Sequence, residues 1–120
     1  RRLLGLRVVA AQEGRATVCL PDRPELANRF GYHHGGALAT LVDAAMSNAV
    51  LSALPGDRRA GGTVELSIRF LRPARGEVRA QGRALRVGRR LAFAHADVYD
   101  QDGRLVATAQ ATYVVEQAEG

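Results

Sequence analysis

Lysine and tryptophan are absent from this chain of 120 residues, and cysteine occurs once. With Cys19 alone, no disulfide can form within the chain. Cys19 lies in the strand-like run Thr17-Val18-Cys19-Leu20 with no base nearby, which marks it as an inert core residue rather than a nucleophile. Aromatic residues are only 5% of the chain, so alanine and valine must do much of the packing. Small side chains in that role imply elements that approach closely. All 17 basic residues are arginine, and the formal net charge is +5. The arginines are scattered along strand-like segments and are not clustered with aromatics. That pattern argues against a nucleic-acid partner and leaves a phosphate-bearing small molecule. No secretory signal and no apolar run of membrane-spanning length stands out, so the expected setting is cytoplasmic, with no membrane partner. The chain opens at Arg1 rather than Met, so residues upstream of it are expected.

What is present fits one domain, residues 1–120, with 47% hydrophobic residues to build a core. Leu6 to Leu20 reads as strand, broken by a turn at Glu13-Gly14. Pro21 to Tyr32 reads as loop. Gly35 to Leu54 is the one long helix candidate, ended by Pro55-Gly56. Its polar residues Thr40, Asp43 and Ser47 are spaced three and four apart and share a narrow face. The remaining circumference is apolar, as in a helix buried on several sides. Val64, Leu66, Ile68 and Phe70 alternate with polar residues up to Pro73. Glu77–Val87, Leu91–Asp100 and Leu105–Val115 read as further strands, with a phase shift near Leu85 that signals a bulge and a hairpin turn at Asp100–Gly103. These strands carry small residues on one face: Ala80, Gly82 and Ala84; Ala92, Ala94 and Ala96; Ala107, Ala109 and Ala111. A helix pressed against the middle of a sheet accounts for all three rows. The reading is α+β, with four or five long antiparallel strands curled around a central helix. Exposed sheet edges in such a design call for a partner, at least a dimer.

The densest chemistry lies in Asn28-Arg-Phe-Gly-Tyr-His-His-Gly-Gly-Ala-Leu-Ala-Thr-Leu-Val-Asp43. Asn28, His33 and His34 lead into Gly35 and Gly36 at a helix start. Glycine there lets a ligand approach unpaired N–H groups, which favour an anion or a developing oxyanion. Two turns on, Asp43 stands in an otherwise apolar helix, where a charge without a task is costly.

With these residues placed, the chain resembles a hotdog-fold thioesterase, closest to the PaaI-like (phenylacetate-pathway) branch of the 4-hydroxybenzoyl-CoA thioesterase superfamily. The Asn28 loop, the triplet His34-Gly35-Gly36 and Asp43 nine residues after that histidine carry the resemblance. The run Gly62-Thr-Val-Glu-Leu-Ser-Ile-Arg-Phe-Leu-Arg-Pro-Ala74, the turn Gly88-Arg89-Arg90 and the final strand through Tyr113 also match. The family usually has a helix before the first strand, and this chain begins too late to show one. The resemblance implies hydrolysis of an acyl-CoA thioester to a free acid and CoA, with no metal and no organic cofactor. It implies Gly35 N–H as oxyanion donor, Asn28 as neighbouring donor or loop anchor, and Asp43 of a facing subunit as nucleophile or general base. Thr63 would hydrogen-bond the attacking water or the carboxylate, and His34 would orient the thioester or shape the loop. Gly36 would lie along the bound substrate, and Arg89 and Arg90 would meet the CoA phosphates. A homodimer would form the site, and a homotetramer is the expected assembly. Aryl-acetyl, hydroxybenzoyl-like and medium-chain acyl groups all remain open.

Plainer readings stand beside these. Asp43 could be a solvated helix residue, His34 a cap, Asn28 a turn residue and Thr63 a strand former. His33 matches no family position and reads as structural or exposed. A metal held by His33, His34 and Asp43 is disfavoured, because adjacent histidines seldom share one ion. The competing functions are a non-catalytic acyl-CoA-binding module on the same fold, and a hotdog hydratase. The acid at Asp43 speaks against the first and the His-Gly-Gly helix start against the second.

Overall fold

The computed structural model describes residues 5–24, 27, 28 and 30–118. Glu25, Leu26 and Arg29, within the expected loop, lie outside that range. In chain order the elements are β1 (Arg7–Gln12), β2 (Arg15–Leu20), α1 (Gly35–Ala53), β3 (Arg58–Phe70), β4 (Val78–Val87), β5 (Leu91–Tyr99) and β6 (Leu105–Gln117). The strands form one antiparallel sheet in the order β1-β2-β4-β5-β6-β3. That is six strands, one more than the expected upper number, because Glu13-Gly14 divides the first segment into a full hairpin. Glu13 and Gly14 both adopt positive φ there, as a tight two-residue turn requires.

The helix packs against every strand, most closely β4 and β2. Ala37, Leu38, Leu41, Val42, Ala44, Ala45, Met46, Ala49 and Val50 are buried in that embrace. The small-residue rows explain the closeness. Ala80, Gly82, Ala92, Ala94, Ala96, Ala107, Ala109 and Ala111 are all buried and face the helix side of the sheet. At Gly82 the backbone of α1 comes so near that an added Cβ would overlap the carbonyl of Ala45. The phase shift near Leu85 is a register break between Ala84 and Arg86, a β-bulge. The Asp100 turn is closed by backbone hydrogen bonds between Asp100 and Arg104 and from Gly103 to Asp100.

Two expectations need correction. The helix α1 is, by length and composition, long and apolar enough to cross a membrane. Its buried face shows it to be the core helix of this fold. The alternating residues of β3 do not all face the core. Leu66 and Ile68 pack on it, whereas Val64 is 56% and Phe70 50% exposed. The cause is position: β3 is an edge strand bonded only to β6, with register breaks on either side of Thr63. The helix does not cover its whole length.

Candidate functional site

The loop before α1 is held by its own polar groups. Asn28 Oδ1 accepts hydrogen bonds from the N–H of Phe30 (2.9 Å) and of Tyr32 (3.1 Å), and the Asn28 N–H donates to the Tyr32 carbonyl at 2.7 Å. Asn28 is thus the loop's organiser. Its side-chain oxygen is committed, and its amide nitrogen makes no hydrogen bond among the described residues. Gly31, at φ 82°, supplies the left-handed turn. His33 is buried, not exposed. Its Nε2 bonds the Gly76 carbonyl at 2.6 Å, and its backbone N–H donates to Ala74. It anchors the loop to the β3–β4 connection, which commits the ring to structure and removes it from any shared metal site.

His34 is the N-cap residue of α1, but its side chain makes no capping bond and points away from the core. Its carbonyl accepts the N–H groups of Ala37 and Leu38. The N–H groups of Gly35 and Gly36 are left without acceptors among the described residues, and no acidic residue sits in the first turn. The positive end of the helix is therefore open for use. Gly35 forms part of a cleft of about 530 Å³ with Asn28, Tyr32, Leu38, Phe70 and Arg72. The Phe70 ring lies against Gly35, 3.3 Å from where a Cβ would stand. Around Gly36 an added Cβ would meet only open space.

Asp43 lies on the one side of α1 that the sheet leaves uncovered, with Thr40, Ser47 and the exposed Leu51. Thr40 and Ser47 return their hydroxyls to helix carbonyls. Asp43 instead accepts a side-chain hydrogen bond from outside the helix: Tyr113 Oη donates to its Oδ1 at 2.8 Å. Sequence reasoning gave Tyr113 no role. The available signal was the one hydroxyl in the otherwise apolar inward row of β6.

The candidate residues fall into two groups. Gly35 and Asp43 are eight residues apart on a straight helix, or roughly 12 Å at the usual rise. Phe70 pairs with Ala107 and Thr63 with Tyr113, so the Gly35 end and the Asp43 end of the sheet are separated by about seven strand residues, roughly 23 Å. Thr63 and Tyr113 stand at the Asp43 end. So does the Arg89-Arg90 turn, because the Arg90 carbonyl accepts the Val115 N–H. Asn28, His34, Gly35, Gly36 and Phe70 make up the other end. Arg89 and Arg90 therefore do not line the Gly35 cleft of their own chain.

Nearer cations were not anticipated. Arg72 lines the Gly35 cleft and also the adjoining cavity of about 510 Å³, with Arg75 and Arg104. Arg75 stacks on the Tyr32 ring, 4.5 Å from its centroid. The acids of that cavity are engaged by Arg104. Asp100 accepts the Arg104 and Asp102 N–H groups and the Arg104 guanidinium. These bonds, the Arg104 N–H foremost, hold the Asp100 carboxyl below its usual range. Among the described residues no group of three His, Cys, Asp or Glu converges.

The comparisons with known proteins agree with this architecture. The model of the thioesterase superfamily matches residues 30–107. A conserved protein of Pseudomonas aeruginosa of known structure is 40% identical, with a TM-score of 0.88 over 96% of this chain and 91% of that one. A proposed esterase of Halobacterium salinarum is 38% identical over 99 residues, 79% of this chain and 66% of its own length. A medium/long-chain acyl-CoA thioesterase of Escherichia coli is 26% identical over 129 residues, 95% of this chain and 83% of that protein. With a single long helix inside a six-stranded antiparallel sheet, and a family match over well more than half its length, this hotdog-fold chain belongs to the thioesterase superfamily.

Proposed function

We propose that the protein hydrolyses acyl-CoA thioesters to a free acid and CoA, at two equivalent sites built between subunits. The observation that carries the proposal is the uncapped start of α1, where Gly35 lines an open cleft and its N–H, like that of Gly36, has no acceptor among the described residues. A thioester carbonyl resting there would gain charge on its oxygen as it is attacked. Fixed backbone donors at a helix N-terminus stabilise that charge without reorganising. The Asn28 amide nitrogen is the neighbouring donor. The exposed His34 side chain, which makes no capping bond, would orient the thioester.

The attacking group comes from the facing subunit. Asp43 is too far from Gly35 of its own chain to meet the same carbonyl, so an antiparallel pairing of two subunits brings each acid to the other's helix start. Asp43 then acts on one of two routes. As general base it takes a proton from water, whose oxygen adds to the carbonyl carbon. As nucleophile it forms a mixed anhydride that water cleaves. In both, the tetrahedral intermediate collapses with loss of the CoA thiolate. Thr63, paired with Tyr113 at the Asp43 end, would bond the water or the carboxylate. The CoA phosphates meet Arg72 and Arg75 of the subunit holding the carbonyl, and Arg89 and Arg90 of the facing one.

The E. coli relative supports an acyl-CoA substrate. Within the superfamily, the helix start and Asp43 favour the phenylacetate-pathway branch, so aryl-acetyl thioesters head the proposed substrates. The decisive measurement is release of free thiol from a panel of aryl-acetyl-, hydroxybenzoyl-, medium- and long-chain acyl-CoAs. Turnover of at least one member is expected. Binding of CoA esters without any thiol release would replace the enzyme by an acyl-CoA-binding module.

A further inference from the structure

Tyr113 stands out along β6. Its inward row is Ala107, Ala109, Ala111, Tyr113 and Val115, all buried. Alanine holds this row wherever the helix lies close. One large polar side chain interrupts it, and its hydroxyl meets the helix at the residue that carries the acid. Tyr113 is 2% exposed, so its ring is locked by packing. Its Oη stands 2.8 Å from Asp43 Oδ1 and 3.3 Å from the Asp43 carbonyl oxygen. The β3–β6 register also sets it opposite Thr63. Asp43 Oδ2 has no hydrogen-bond partner among the described residues.

We infer that Tyr113 is a positioning residue for the reaction. By donating to Oδ1 it fixes the carboxylate torsion and leaves Oδ2 as the oxygen that takes the proton from water or attacks the carbonyl. This inference rests on the thioesterase reading above. The same hydrogen bond serves either route, because each needs one carboxylate oxygen held still and the other presented. A flexible acid on the uncovered side of α1 would otherwise sample rotamers that face solvent. A purely structural phenol would need only some acceptor, and the Asp43 backbone carbonyl would suffice. The shorter bond goes to the carboxylate.

The test is Tyr113→Phe in the full-length chain, on whichever acyl-CoA the wild type turns over. The expected result is a kcat lower by roughly 10- to 100-fold, about what a hydrogen bond to a charged group is worth. KM should stay within about twofold, because the acid is not a binding group for the ground state. The thermal midpoint should change by no more than a few degrees. In an Asp43→Asn background the same substitution should add no further loss, as expected of a residue acting through that acid. Wild-type kcat in Tyr113→Phe overturns the inference, as does an equal loss in both backgrounds or a change confined to KM. A wild type that turns over no acyl-CoA overturns the thioesterase reading and this inference with it, so the two failures are told apart by the wild type alone.

Discussion

A carboxylate half-buried on an apolar helix is the residue on which the proposed mechanism turns. Asp43→Asn preserves shape and the chance to bond Tyr113, but removes the proposed general base or nucleophile. Turnover should fall by roughly 10²–10⁴-fold, the usual contribution of a positioned general base, with the thermal midpoint nearly unchanged. Unaltered kcat would remove Asp43 from the mechanism. The residue types at this site were legible because they are chemically out of place: an acid in a greasy helix, two glycines where a helix begins. The partners of those residues were not. Nothing in the spacing of Asp43 and Tyr113, 70 residues apart, foretells a 2.8 Å contact. His33 and His34 show the same limit. As neighbours in sequence they looked alike, yet one ring is buried on the Gly76 carbonyl and the other is exposed at the helix start.

At the scale of elements, periodicity was a sound guide. The helix ends within a residue of its expected stop, and the bulge, the hairpins and the small-residue rows stand where the pattern put them. The rows have a mechanical meaning: they set how near α1 can come to the sheet. Gly82→Ala tests this directly. Its Cβ would overlap the Ala45 carbonyl, a backbone atom that cannot swing aside, so the helix or strand must move. Overpacking of this kind costs about 1–3 kcal/mol and sometimes more, read as a loss in denaturant midpoint at constant slope. An unchanged midpoint would mean that α1 is not seated as described. The β3 reading erred because alternation reports which residues share a face, not whether anything covers that face. Val64 and Phe70 have the pattern of core residues, yet both are left exposed, Phe70 touching only the start of the helix at Gly35.

At the scale of the molecule, the two ends of the candidate site are too far apart within one chain to act on one bond. The exposed edge strand β3, with Val64 bare, is the proposed surface across which subunits pair and complete the site. Val64→Asp places a charge in that surface and should leave each chain folded while breaking the pair. Sedimentation should then show a monomer, with kcat/KM lower by at least about tenfold if sites need two subunits. A monomer of full activity would sink the shared-site model, and so would a wild type that is itself monomeric and active. The expected tetramer would need a second surface, and the exposed Leu85, Leu91 and Phe93 on the far side of the sheet are where such a contact could form.

By itself, the order of residues determined the elements, their faces and the chemical kinds gathered near the helix start. Those follow from local rules, because backbone geometry ties side-chain direction to sequence spacing in helices and strands. Tertiary structure alone decided that Asp43 bonds Tyr113, that Arg72 and not Arg89 or Arg90 borders the Gly35 cleft, and that Gly35 and Asp43, on one helix, have separate sets of neighbours from distant parts of the chain. These are matters of which strand lies beside which and how far a sheet extends past its helix. Long-range pairing sets them, and no local pattern of residues encodes such distances.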